Sequence, residues 1–445
     1  MICCFWLIFE KNKRKNVRGD IMVKLLKNCM LSNGKKVDIL IINETIAKIS
    51  EEPITDETCD VEIDATFDIK NNLVMPGIID GFSRIKTGSP YDDADFGSES
   101  IACAYGGITT FVDVPVDPIT DDYFKVLSQK IATANDTSLV NFAFAISAGD
   151  LSKTKELAKA QEYAVGTVIN LNSRNFKDRI SDSNVLNAMI QSSKMILIHL
   201  SGNDIDTFFT ICDDKDIKIL FYDITNESDL EKILFYKNQG YNIRTATSIN
   251  YLLFNRDQIN SEYKRKTITT DYKLGTMLNN IHLWNAVKEN KIDMITSTHL
   301  PVTLIEKFET ERPGLPNFET LFSILFDNCF YKKIPVTLLE KMLCKNPAKI
   351  YGLKNKGEIK EGYDADIIVV NTTKRWWIKN EDIVSRSRWT PFNDHRISGR
   401  VMMTFVNGEL IYNYINQMMP IRKIRAAKMP TFDNEIFFNE SNRFN

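Results

Sequence analysis

ITTFVDV, Ile108–Val114, is the stretch that decides the fold. It is a short, apolar, β-branched run, entered through Gly106-Gly107, and it reads as a buried strand. A helical stretch, Tyr123–Ala134, follows it. The pairing then repeats. Leu139–Ile146 reads as a strand and Ser152–Gln161 as a helix. Val165–Leu171, Met195–Leu200, Ile217–Tyr222 and Ile292–Thr296 read as further strands, and Asp229–Asn238 and Met277–Lys288 as helices. Strand–helix alternation over roughly 270 residues predicts a parallel sheet, closed at this length into an α/β (β/α)8 TIM-type barrel.

The texture changes outside that region. Residues 22–75 carry short alternating apolar runs, and residues 355–428 return to them, with Asn407-Gly408 as a hairpin signal. We therefore expect a barrel over 76–354 and a small β-sandwich domain formed by both chain ends, 22–75 plus 355–428. Residues 1–21 read as a disordered extension or a mis-assigned start, because their basic run follows the apolar stretch, the reverse of a signal peptide. Residues 429–445 read as a tail.

Composition narrows the function classes. Fifty-six basic against 58 acidic residues give a net charge of −2, which offers no global attraction for nucleic acid or an acidic membrane. No apolar run reaches the ~18–20 residues of a membrane span. The eight cysteines form no C-x-x-C, so they read as reduced thiols of a cytoplasmic protein.

Several motifs, in order, resemble the cyclic amidohydrolases. Val74-Met75-Pro76-Gly77-Ile78-Ile79-Asp80 is similar to their V-x-P-G-L-I-D. Ala104-Tyr105-Gly106-Gly107-Ile108-Thr109-Thr110 resembles A-x-G-G-I-T-T. Pro316-Asn317-Phe318-Glu319-Thr320, Asn346–Leu353 and Gly362–Asp366 follow P-G-L-E-T, N-P-A-K-I-F-G-L and G-x-D-A-D. Trp389-Thr390-Pro391-Phe392 and Asn170-Leu171-Asn172 resemble the dihydroorotase branch, including the dihydroorotase domain of multifunctional pyrimidine-synthesis polypeptides. The resemblance spans about Met22 to Lys428 and implies the same barrel and β-sandwich.

It also implies a two-zinc site. Family members bind the metals through two His after strand one, a carboxylated Lys, two further His and an Asp. Carried onto this chain, those positions hold Phe82, Arg84, Val168, His199, Asp223 and Thr298. His199 alone keeps its identity. Phe82 and Val168 offer no lone pair, and Arg84 is a permanent cation. Substrate-holding positions change too, to Lys86, Val116 and Val302. Zinc lowers the pKa of bound water from about 15.7 to about 7, so its loss removes roughly eight orders of magnitude in available hydroxide. The expectation is no catalytic residue set, no metal and no cofactor, the binuclear zinc being absent.

Arg84, Lys86, His199, Asp223 and His299 remain as candidate ligand-binding residues. His199, Asp223 and His299 have the composition of a single-metal site, although a repacked polar pocket is the simpler reading. His282 reads as surface or core, His395 as structural, and Cys103 as a small core residue. Trp376-Trp377, beside Lys374 and Arg375, could bind a partner but reads more simply as a packed strand. By the resemblance, the chain is a catalytically inactive dihydroorotase-like protein. Its expected partners are a second copy in a homodimer, aspartate transcarbamoylase or carbamoyl-phosphate synthetase. The alternative is a hydrolase on cyclic amide C–N bonds with a remodelled metal-free or mononuclear site.

Overall fold

A computed structural model describes residues 21–59, 61–85, 94–115, 122–147, 153–169, 183–414 and 427–432. Residues 1–20, Lys86, Val116, Asn170–Asn172 and 433–445 lie outside the described residues.

Eight parallel strand segments surround one axis. They are Ile78–Ser83, Ile108–Asp113, Asn141–Phe144 continued by Ile146–Ser147, Thr167–Ile169, Ile196–Ile198, Ile219–Phe221, Ile243–Ser248 and Met294–Thr296. Successive strands pair in parallel. A parallel bridge between Ser83 and His299 joins the last strand to the first, and the Arg84 N–H donates to the His299 carbonyl at 2.9 Å. This is the (β/α)8 barrel. Its strands are apolar at nearly every position because both faces are covered. Period two sorts the side chains. Val168, Leu197, Leu220, Ala246 and Met294 fill the barrel interior, whereas Ile196, Ile198, Ile219 and Ile243 pack outward on the helices.

A second sheet joins both ends of the chain. Val23–Leu31, Lys36–Ile42, Thr45–Ser50 and Leu73–Pro76 come from the first, and Ile367–Asn371, Arg400–Val406 and Glu409–Asn413 from the last. The seam pairs Leu73–Pro76 antiparallel with Ile367–Val370. Asn407 and Gly408 turn the final hairpin with φ of 45° and 78°, the left-handed pair that a tight hairpin needs.

The Gly106-Gly107 pair does more than turn the chain. Gly107 ends the Phe96–Gly106 helix in the left-handed region. A Cβ on Gly106 would stand 2.0 Å from the Phe318 carbonyl oxygen. The two motifs are thus in contact, and only glycine permits the approach.

Lys356 locks the sheet to the barrel. Its side chain is buried, and it pairs with Asp364 at 2.9 Å and Asp366 at 2.6 Å. Asp366 also accepts from Asn141 of the third barrel strand and from the Asn407 N–H. Burial disfavours the ammonium, but the two carboxylates outweigh it and hold the Lys356 pKa above its usual range. Replacing Lys356 with Met strands two buried carboxylates. We expect a loss of about 3–5 kcal/mol in denaturant titration, whereas Lys35→Met, at an exposed pair with Glu51, should change stability by less than about 1 kcal/mol.

Candidate active site at the barrel mouth

The C-terminal ends of the barrel strands open into a cavity of about 1160 Å3 lined by Phe82, Arg84, His199, Tyr222, Asp223, Asp271 and Tyr272, among others. Four of the expected positions, Phe82, Arg84, His199 and Asp223, meet here. Val168 lies within the barrel interior.

Arg84 sits at the centre of the charge balance. Its two terminal nitrogens donate to the two carboxylate oxygens of Asp271, the bidentate geometry that favours arginine. Burial opposes the guanidinium charge. Asp271, Asp223 and Tyr272 more than compensate, and the net pKa shift is upward. Asp271 comes from the loop after the Glu262–Thr267 helix.

That loop closes over the mouth. Tyr272 stacks on His199 with ring centroids 3.4 Å apart and planes 16° apart. The Tyr272 N–H donates to the Tyr251 hydroxyl at 3.3 Å. Behind it, the Lys307 ammonium donates to the Thr269 carbonyl at 2.9 Å, and burial pulls the Lys307 pKa down to about 7. His199 Nδ1–H donates to the Tyr222 carbonyl at 3.2 Å, and burial lowers its pKa to about 4. His199 is therefore neutral at pH 7, with one face covered by Tyr272.

Asp223 and Thr298 face each other, with Thr298 Oγ1 3.4 Å from Asp223 Oδ1. Both occupy the left-handed region, with φ of 50° and 46°. That is costly for a β-branched threonine, and such strain gathers at functional sites. Burial, then the Asp271 charge, pushes Asp223 up to about 7 against the pull of Arg84.

His299 does not belong to this cavity, contrary to the expectation. Its Nε2 lies 3.0 Å from Glu99 Oε2, and Nδ1 accepts from the Asn317 and Phe318 N–H groups. The proton therefore sits on Nε2, toward Glu99. The ring also stacks on Phe318 at 3.7 Å. Its partners, Glu99 on the Phe96–Gly106 helix and the Asn317-Phe318 backbone, hold it away from the mouth. His282 pairs with Glu227 at the rim. His395 caps a local turn through the Phe392 carbonyl, and Cys103 is fully buried. Lys86 lies outside the described residues.

The residues present do not fit a two-zinc centre. Phe82 and Val168 carry no donor, and Arg84 repels a cation. A dication ~5 Å from a guanidinium is opposed by about 7 kcal/mol at an effective dielectric constant of ~20. Among the described residues, no group of three or more His, Cys, Asp or Glu could hold a metal ion.

Asp223 yields a pH test. Its folded pKa of about 7 exceeds the unfolded value. Ionising it therefore costs stability above the unfolded pKa, and the cost is relieved as pH falls from 7 toward 4. Asp223→Asn should stabilise the protein at pH 8 by a few kcal/mol. Its advantage over wild type should shrink steadily toward pH 4 in parallel denaturant titrations.

Comparison with known proteins places this geometry. Residues 279–411 match the Amidohydrolase family. The chain is 25% identical over 421 residues to a dihydroorotase of Methanosphaera stadtmanae, covering 87% of this chain and 96% of the relative. It is 28% identical over 354 residues to a dihydroorotase of Pyrococcus horikoshii, covering 77% and 81%. Among solved structures, the fold matches dihydropyrimidinase from Brevibacillus agri with a TM-score of 0.80 at 17% identity, covering 93% of this chain and 99% of that one. It matches L-hydantoinase from Arthrobacter aurescens with a TM-score of 0.76 at 20% identity, covering 92% and 99%. With the barrel, the two-ended sheet and the ordered motifs, these matches show a chain similar to dihydroorotases in sequence and to hydantoinase-type structures in fold.

Proposed function

We propose that this chain is a non-catalytic member of its family, a dihydroorotase-like barrel that serves as a structural or regulatory partner in pyrimidine biosynthesis. The observation that carries this reading is the Arg84–Asp271 pair at the barrel mouth. A fixed cation stands where relatives of this type gather metal ligands, and its charge is answered by the protein itself. The Tyr272–His199 stack adds to this by covering the one retained family histidine. Assembly with a second copy, with aspartate transcarbamoylase or with carbamoyl-phosphate synthetase belongs to the same proposal. Exposed Phe330 and Tyr331, 75% and 62% accessible at adjacent positions, are apolar surface consistent with a partner.

A second reading has its own support. The relatives named above are dihydroorotases matched over most of this chain, and Asp223 at about 7 lies in the range suited to a general base. In that reading the chain hydrolyses a cyclic amide C–N bond at a remodelled, metal-free or mononuclear site.

Steady-state assays with dihydroorotate, N-carbamoyl-aspartate and hydantoin separate the two. The non-catalytic reading expects no turnover with or without added zinc, and well under one zinc per chain after dialysis. Chelator-resistant turnover that is lost in Asp223→Asn would establish the second reading instead. Zinc-dependent turnover with two ions bound would sink the metal-free account altogether. Arg84→Met should lower stability by about 3–5 kcal/mol, since it leaves Asp271 without its partner and Asp223 without a nearby cation.

A further inference from the structure

We propose that the cleft between the barrel and the Trp376–Trp377 ribbon is a second ligand site, taking a small aromatic carboxylate. The ribbon pairs Trp376–Trp377 with Arg396–Ile397, so it is a packed strand, as the sequence suggested. Beneath it lies a cavity of about 330 Å3, remote in sequence from every mouth residue, whose walls include Tyr105, Glu319, Trp376, Arg400, Tyr412 and Tyr414.

Arg400 is the anchor. Its guanidinium lies 4.4 Å from the Trp376 ring centroid and 3.8 Å from that of Tyr414. Two aromatic faces hold the cation in position. Among the described residues, no carboxylate pairs with it and no acceptor takes its protons. Asp382 also lines the cavity but makes no ion pair with it.

The second observation is the aromatic lining. The Tyr105 and Tyr412 rings form an aromatic wall with centroids 4.4 Å apart. Glu319 does not supply the missing negative charge. Its carboxyl already accepts from the Val384 and Ser385 N–H groups, and burial pushes its pKa up to about 8, leaving it mostly neutral at pH 7.

The site therefore offers a held cation and aromatic walls. What complements it is an anion with acceptor oxygens, carried on a planar ring. A cavity near the lower end of the ~300–1,000 Å3 range of ligand pockets limits that ring to one or two fused cycles.

Calorimetric titration of the full-length protein tests this with benzoate and indole-3-carboxylate. The matched carboxamides and inorganic phosphate serve as comparison arms. We expect one saturable carboxylate site per chain, with the carboxamides at least about tenfold weaker because they lack the charge. Arg400→Gln should weaken binding by about tenfold or more. Trp376→Leu removes one of the two aromatic faces that hold the guanidinium, and should weaken it by about three- to tenfold. Arg84→Met should leave it unchanged.

Absent carboxylate binding, equal affinity for the carboxamide, or full affinity in Arg400→Gln would each overturn the site. Binding of phosphate alone would overturn the ligand class, and loss of binding in Arg84→Met rather than Arg400→Gln would move the anion to the barrel mouth. Circular dichroism and melting of the ligand-free variants control for folding. If Arg400→Gln does not fold, the Trp376→Leu variant and the acid–amide comparison on wild type still decide.

Discussion

A buried imidazole against a buried carboxylate holds the molecule's three parts in register. His299 follows the last barrel strand, and its backbone bridges to Ser83 on one side and Leu315 on the other. Its ring meets Glu99 of the first barrel helix, and Glu99 in turn accepts from the Arg386 N–H and the Ser385 hydroxyl. Burial alone would raise the Glu99 pKa. The hydrogen bonds from His299, Arg386 and Ser385 reverse that, and the carboxyl sits below its usual range. Barrel closure, the Phe96–Gly106 helix and the C-terminal segment thus share one buried charge. Every partner of that charge is a donor, which is the condition under which a buried carboxylate is tolerated.

The mouth follows the same rule with different parts. Arg84, Asp271 and Asp223 are desolvated together, and their charges answer one another inside the protein. Such a set is locally rigid, because removing one member exposes the others to an unpaired state. Asp80, on the first barrel strand, is another buried carboxyl. Ser297 donates to it through both N–H and hydroxyl, yet burial still pushes it up to about 7. Two buried carboxyls, Asp223 at the mouth and Asp80 on the strand, are therefore poised near neutrality.

Much of this was legible in the residues. Strand–helix alternation implied the barrel because buried parallel strands have few alternative arrangements. Phe82, Arg84, His199 and Asp223 could be placed at the mouth through the resemblance to the cyclic amidohydrolase motifs. Asp271 and Tyr272 escaped notice. They sit in Thr269–Gly275, which has neither period two nor helical spacing, and a loop that reaches across a barrel leaves no periodic trace. One signal was available: a buried arginine demands a carboxylate, and Asp223 cannot supply a bidentate partner while facing Thr298. His299 follows the last barrel strand after a left-handed Thr298, and nothing in the residue pattern shows that such a kink turns its ring toward Glu99 instead of the mouth. Trp376 could be seen as aromatic surface. Its association with Arg400 could not, since the two residues lie on different pairs of strands.

The sheet shared by both ends carries a cost during synthesis. The Lys24 ammonium donates to the Gly408 carbonyl across 384 positions of chain, and Leu73–Pro76 awaits Ile367–Val370 for its neighbour. At ribosomal speeds of ~5–20 residues per second, the amino-terminal strands wait roughly 20–80 s with an open edge. During that interval the nascent chain presents unpaired backbone groups beside apolar side chains, the template that other chains can join. Production of this protein should depend on chaperone supply and translation rate more than its final stability would suggest.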